Sequence, residues 1–121
     1  MPIRQFEELE VWRVAKDLAI RIYKVTASGA FSRDFGLRDQ IRRAAVSAMS
    51  NIAEGFDRYS RKEFRQFLSI ARGSASEVRS QLHLAYELSY VSKSDFDDLV
   101  EICWRVTRML GALRDKLGAT R

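Results

Sequence analysis

The stretch Ser60-Arg61-Lys62-Glu63-Phe64-Arg65-Gln66-Phe67-Leu68-Ser69-Ile70-Ala71-Arg72-Gly73-Ser74-Ala75-Ser76-Glu77-Val78-Arg79-Ser80-Gln81-Leu82-His83-Leu84-Ala85 decides the fold. Its opening Ser-x-x-Glu is a capping box, in which the Ser60 hydroxyl and the Glu63 carboxylate satisfy each other's backbone donors. Behind it Phe64, Phe67, Leu68, Ala71, Ala75, Val78, Leu82 and Ala85 share one face at helical spacing. That periodicity predicts one long helix from the capping box to about Tyr90.

Working outward, the same period returns three more times. Upstream, about Leu37 to Phe56 reads as a helix rich in small residues, with Ala44, Ala45, Ser47, Ala48, Ser50, Ala53 and Gly55. Small side chains let neighbouring helices approach closely. Before it, Ser28 to Gly36 reads as a connection, and roughly Phe6 to Ser28 as another helix. The polar residues of that first helix crowd into a narrow arc, so its apolar arc is about twice the ~100° that one core requires. Downstream, Ser92 or Ser94 caps a last helix. Its Phe96, Leu99, Val100, Cys103, Val106, Leu110, Leu113 and Leu117 repeat at threes and fours, and Gly118 marks the stop. The pattern predicts an all-α, antiparallel up-down four-helix bundle forming a single domain over residues 1–121.

Composition agrees and excludes several classes. Among 121 residues, 46% are hydrophobic and 31% charged, the balance of a folded domain, with one proline and six glycines to punctuate a β fold. No apolar run reaches the ~18 residues of a membrane span, and acids stand at Glu7 and Glu8 where a leader would be apolar. A single cysteine excludes an intrachain disulfide, so a cytoplasmic chain is expected.

The parts for catalysis are few. One histidine, His83, excludes a two-histidine metal site within the chain, and Ser80 occupies the place a Glu-x-x-His motif would need filled by Glu. Cys103 falls on an apolar face, as inert thiols do. Glu54 and Glu87 read as solvated salt-bridge partners, and no phosphate-binding glycine loop is present. The expectation is a protein that is not an enzyme, with no metal, cofactor or small-molecule substrate.

The positive signal is electrostatic. Twenty-one basic residues against sixteen acidic ones give a net charge of +5, and most of the bases are arginine, whose planar fork suits phosphate. Arg61, Arg65, Arg72 and Arg79, joined by His83, fall on one acid-free strip of the third helix, about 27 Å long at ~1.5 Å per residue. Such a strip can follow a phosphate backbone. It can equally be a solvated face whose arginine stems cover apolar neighbours, or a contact between subunits. Arg38, Arg42 and Arg43 form a second group. There Asp39 is expected to pair with Arg43, leaving Arg38 and Arg42 as the freer charges, while Glu54 pairs with Arg58. Arg58, Arg61 and Lys62 make a basic corner between the second and third helices.

Three blocks together resemble a known family. They are Phe6-x-x-Leu9-x-Val11-Trp12, then Ser50-Asn51-Ile52-Ala53-Glu54-Gly55, then Arg58-x-Ser60-x-x-Glu63-Phe64-x-x-Phe67-Leu68 continuing through Ile70-Ala71-x-Gly73-Ser74 to Glu77. They resemble the small four-helix-bundle proteins encoded in intervening sequences of bacterial large-subunit (23S) ribosomal RNA genes. More distantly the chain resembles the accessory variability determinant of diversity-generating retroelements, a basic pentamer that binds nucleic acid and a reverse transcriptase. The resemblance implies a closed bundle and, in related members, a ring of five subunits, so a homo-oligomer, a pentamer first, is expected. With the basic residues above, the leading reading is non-catalytic nucleic-acid binding, RNA ahead of DNA, within a ribonucleoprotein or beside a reverse transcriptase. Nucleic-acid contacts are expected from Arg38, Arg42, Arg58, Arg61, Lys62, Arg65, Arg72 and Arg79. The signature residues Ser50, Asn51, Glu54 and Gly55 read as structural, with Asn51 and Glu54 linking helices and Gly55 permitting close packing. Gly73 in mid-helix is expected to allow a close backbone approach. The alternative reading is an oligomeric scaffold that binds another protein.

Overall fold

A computed structural model describes residues 2–119, so the ends of the 1–121 span, Met1, Thr120 and Arg121, lie outside the described residues. Among the described residues the chain is all-α: α1 (Glu10–Val25), α2 (Gly29–Arg33), α3 (Phe35–Phe56), α4 (Arg61–Glu87) and α5 (Lys93–Ala119), preceded by a 3-10 turn, Phe6–Glu8. Four are long and α2 is a short fifth helix. The expected core faces are the observed ones: Leu68, Ala71, Ala75, Val78, Leu82 and Ala85 of α4 are fully buried, as are Cys103 and Val106 of α5.

The helix ends follow from local chemistry. Ser60 Oγ accepts the Glu63 amide at 3.0 Å and opens α4, and Ser92, rather than Ser94, does the same for the Asp95 amide at 3.0 Å. The first helix is shorter than its apolar pattern suggests. Leu9 is extended, with φ −73° and ψ 123°, which lets Phe6 turn back onto Trp12, ring centroids 5.1 Å apart. At its far end Thr26 is buried and donates its hydroxyl to the Ile22 carbonyl at 2.7 Å. The expected connection at 28–36 contains α2, because Phe31 needs burial and a helical turn supplies it; the ring is fully buried, 5.2 Å from Tyr90. Asp34 then caps α3 by accepting the Leu37 amide at 3.1 Å, and its other oxygen accepts the Tyr90 hydroxyl at 2.9 Å.

Two expected boundaries are corrected. α4 ends at Glu87, not near Tyr90, because Ser89 is left-handed at φ 60° and the Tyr90 amide returns to the Ala85 carbonyl. α5 continues through Gly118 to Ala119, so Gly118 lies inside the helix, where the Arg65 guanidinium packs against it.

α3 packs on α1 and α4, and α5 on α4 and α1. Small residues set the α3–α4 spacing. Ser47 Oγ and Ser74 Oγ are 2.9 Å apart across it, and a Cβ built on Gly55 would stand 2.5 Å from the Phe67 Cβ. Gly55 therefore has the packing role expected of it. Asn51 does not itself link helices: its Nδ2 donates to the Ser47 carbonyl at 2.8 Å and to Ser47 Oγ at 3.0 Å, one turn back on α3, and it is Ser47 that reaches across to Ser74. Nor does Glu54, which pairs with Arg58 of its own chain segment at 2.8 Å, one turn away. Ser50 is exposed.

Candidate nucleic-acid interface

The arginine strip of α4 lies along α5, and the two helices meet in a seven-residue register. Arg65 sits against Gly118, its guanidinium 3.1 Å from where a Cβ would stand, and its Nε donates to the Arg114 carbonyl at 3.4 Å. One heptad on, the Arg72 guanidinium lies 3.7 Å from the corresponding point on Gly111. One further on, Arg79 lies over the Trp104 ring at 4.0 Å. His83 continues the line, edge-on to Phe96 at 5.0 Å. Glycine or a flat ring thus stands opposite Arg65, Arg72 and Arg79, and their long stems lie across α5. Arg72 and Arg79 form no ion pair among the described residues, so this packing fixes their stems and leaves the charges unneutralised.

Between these helices runs an open groove of about 320 Å³. Ser69, Gly73 and Ser76 line it from α4 together with Arg72 and Arg79; Trp104, Thr107 and Arg114 line it from α5. No acid is among them. Trp104 is 44% exposed, and apart from the adjoining residues and the backbone of its own helix no described atom comes within 4 Å of a Cβ built on Gly73. The close backbone approach expected at Gly73 is therefore not made among the described residues.

Arg38 and Arg42 belong to a different region, and the expectation about their freedom is reversed. Arg38 Nε binds Asp39 at 3.0 Å, Nη1 donates to the Ser32 carbonyl at 3.1 Å, and the head lies over Phe35. Asp39 is thereby taken by its neighbour in sequence, and Arg43 is left without an ion pair among the described residues. Arg42 Nε donates to Thr26 Oγ1 at 2.8 Å and Nη2 to the Tyr23 carbonyl at 3.4 Å, with the head 4.5 Å from the Tyr23 ring centroid. A cation placed on the Tyr23 carbonyl in the last turn of α1 is a helix C-terminal contact, which makes Arg42 a fastening between α1 and α3. Arg58 pairs with Glu54 and lies over Phe67 at 5.0 Å, next to exposed Arg61 and Lys62 and a Tyr59 ring entirely in solvent.

Two further surfaces bear on what the chain can do. Burial pushes the Cys103 thiol up to about 12, which keeps it protonated and unreactive at neutral pH. On α1, Ala19, Ile20 and Tyr23, with Met49 of α3 and the stems of Lys16 and Lys24, border an apolar depression of about 480 Å³. Ile20 and Tyr23 are each close to half exposed, so the second edge of the wide α1 arc meets solvent in the isolated chain.

Sequence reasoning placed Arg65, Arg72 and Arg79 together but missed Trp104, Thr107, Arg114, Ser69 and Ser76. A signal existed: Trp104, Gly111 and Gly118 are spaced by seven, as Arg65, Arg72 and Arg79 are. It becomes readable once the relative direction of the two helices is known.

Fold and groove define a helical protein with a basic seam and no membrane-spanning helix among the described residues. The chain belongs to the 23S rRNA-intervening sequence protein family, whose model matches residues 7–112. It is similar in structure to a protein of unknown function from the S23 ribosomal protein family of Bacteroides thetaiotaomicron VPI-5482, known from a crystal structure. The TM-score is 0.80 and the identity 23%, covering 87% of this chain and 95% of that one. At that identity the likeness shows the fold alone. No curated protein matches the chain.

Proposed function

We propose that this chain is a non-catalytic, oligomeric accessory protein that binds nucleic acid, RNA in preference to DNA, through the arginines of α4. The observation that carries the reading is the acid-free line Arg65, Arg72 and Arg79, stems laid on α5 and two of its heads without a carboxylate partner. Preorganised guanidinium groups meet phosphate with little further ordering. Membership of a family named for ribosomal RNA intervening sequences favours RNA. Arg58, Arg61 and Lys62 extend the surface at the α3–α4 corner; Arg38 and Arg42 contribute at most through their outer faces. The four long helices are read as an up-down antiparallel bundle, supported by contacts such as Gln40 with Gln81 and Glu10 with Arg105. The protein acts in the cytoplasm without metal, cofactor or small-molecule substrate, in a ribonucleoprotein or beside a reverse transcriptase.

The test is the salt dependence of binding to mixed-sequence RNA. Engagement of three to five phosphates gives a slope of log affinity against log salt of roughly −2 to −3.5 for a single strand. Arg65→Glu with Arg72→Glu should weaken binding strongly and leave the helical circular dichroism intact, because both side chains are exposed. Absence of binding at low salt overturns the reading, and full retention by the double variant moves the site away from α4.

A second reading, an oligomeric scaffold that binds another protein, is favoured by the apolar depression on α1 and α3. It predicts self-association or partner binding that is insensitive to the arginine reversals.

A further inference from the structure

We propose that the α4–α5 groove takes an unpaired ribonucleotide, its base against Trp104 and Arg79 and its phosphates on Arg72 and Arg114. This rests on the nucleic-acid reading above and specifies the form of nucleic acid bound.

The argument begins at Gly73. Glycine inside a helix loses stability relative to alanine, and internal packing usually explains its presence. Here, beyond its own stretch of helix, nothing lies within 4 Å of its absent side chain, so no packing contact among the described residues requires a glycine at this position. What the glycine does is leave the α4 backbone open at the floor of the groove, between Arg72 and Arg79, which stand one on each side about 10 Å apart along the axis. Ser69 and Ser76, one turn to either side, keep that floor shallow and offer hydroxyls.

The walls have the chemistry of a nucleotide. Arg79 and Trp104 lie on one another at 4.0 Å, and Trp104 keeps 44% of its surface in solvent. A guanidinium on an indole is a flat, sequence-tolerant platform on which a base stacks. Arg72 has no ion pair among the described residues, and Arg114, 3.7 Å from the outlying Asp115, brings another guanidinium to the α5 side. No carboxylate lines the groove to repel a phosphate.

The same features select against a duplex. Paired bases hide their faces in the stack, so a helix of RNA can offer the strip its phosphates but cannot offer Trp104 a ring. Duplex contacts would be confined to the arginine heads.

The experiment compares an unstructured RNA of about 12 nucleotides with a duplex of equal length, using wild type, Gly73→Gln and Trp104→Leu. Gly73 and Trp104 are both exposed, so neither change enters the core. The single strand should quench tryptophan emission in wild type but not in Trp104→Leu. Each variant should lose about tenfold in single-strand affinity, the size of one base stack, and stay within about twofold for the duplex. If single-strand and duplex affinities fall together, or neither variant changes them, the groove is not a nucleotide site and the phosphate-binding reading stands without it. If wild type binds neither RNA at low salt, both readings fail. If Gly73→Gln changes the mass in light scattering while single-strand affinity persists, the groove is a contact between copies of this chain and the inference is overturned.

Discussion

Gly55 and Gly73 both stand inside long helices, and their surroundings give opposite signs to an added methyl group. At Gly55 a Cβ would meet the Phe67 Cβ at 2.5 Å and the Phe64 ring at 3.1 Å, so α3 and α4 must separate to admit it. Overpacking of this kind costs about 1 to 3 kcal/mol. At Gly73 the space is open, and alanine should stabilise by up to about 1 kcal/mol through helix propensity alone. Urea denaturation of Gly55→Ala and Gly73→Ala should therefore move the midpoint in opposite directions; a shared sign would mean that the helices pack differently around one of them. Cys103 makes a pH-dependent contribution. Its folded pKa is raised from 9.0 to about 12 by burial, so the folded state holds the proton more tightly than the unfolded chain. The stability it supplies is complete below about pH 9 and is lost as pH rises towards 12. Tyr90 and Lys93, held up by hydrogen bonds to Asp34 and Asp97, act in the same direction. Melting temperatures from pH 8 upward should fall above pH 9, and the fall should be shallower in Cys103→Ala. An unchanged slope in that variant would exclude the thiol as a contributor.

At the scale of the element, α4 shows how a helix end can override the pattern that predicts it. The apolar period continues past Glu87, yet the chain turns because Ser89 adopts φ 60°. The Ser89 amide bonds the Tyr86 carbonyl and the Tyr90 amide the Ala85 carbonyl, the paired bonds of a Schellman ending, with serine where glycine is usual. A left-handed serine carries a Cβ clash of about 1 to 2 kcal/mol that glycine lacks. Ser89→Gly should raise the urea midpoint by a part of that energy, the rest being lost to the greater freedom of glycine in the unfolded chain. A lowered midpoint would show that the serine side chain contributes more than its backbone costs. The ending has a purpose in the fold: it returns Tyr90 to Phe31 and Asp34, tying the end of α4 to the start of α3.

For the whole molecule the expectation of assembly rests on α1. Its inner face, with Val11, Ala15, Leu18 and Ile22, is buried, while Ile20 and Tyr23 of the outer edge are 44% and 45% exposed beside Met49. An apolar depression of this kind is where a second copy would be expected to sit. Light scattering at micromolar concentration should give a mass well above the 14.0 kDa of one chain, and about 70 kDa if the ring has the five subunits implied by the family resemblance. Ile20→Glu should lower that mass without loss of helix. A wild-type mass of one chain sinks the assembly, and an unaffected Ile20→Glu oligomer places the contact elsewhere.

Helical class, the four long segments and their buried faces were legible in the residue order, because apolar period and capping are local properties that a single helix expresses on its own. The same holds for the Arg65, Arg72 and Arg79 line, which a helical wheel displays directly. What faces that line was not legible: Gly111, Gly118 and Trp104 reach it only when α5 lies along α4, a relation no local rule carries. Charge partners failed for a related reason. Asp39 has arginines at one, three and four residues' distance, and the approach of Ser32 and Phe35 to Arg38 decides among them. Arg42 looks like a free surface charge until the end of α1 arrives beside it with Thr26 and the Tyr23 carbonyl. Periodicity assigns a residue to a face; whether that face meets solvent, a carboxylate or another helix's backbone depends on contacts between residues far apart in the chain, and those exist only in the folded molecule.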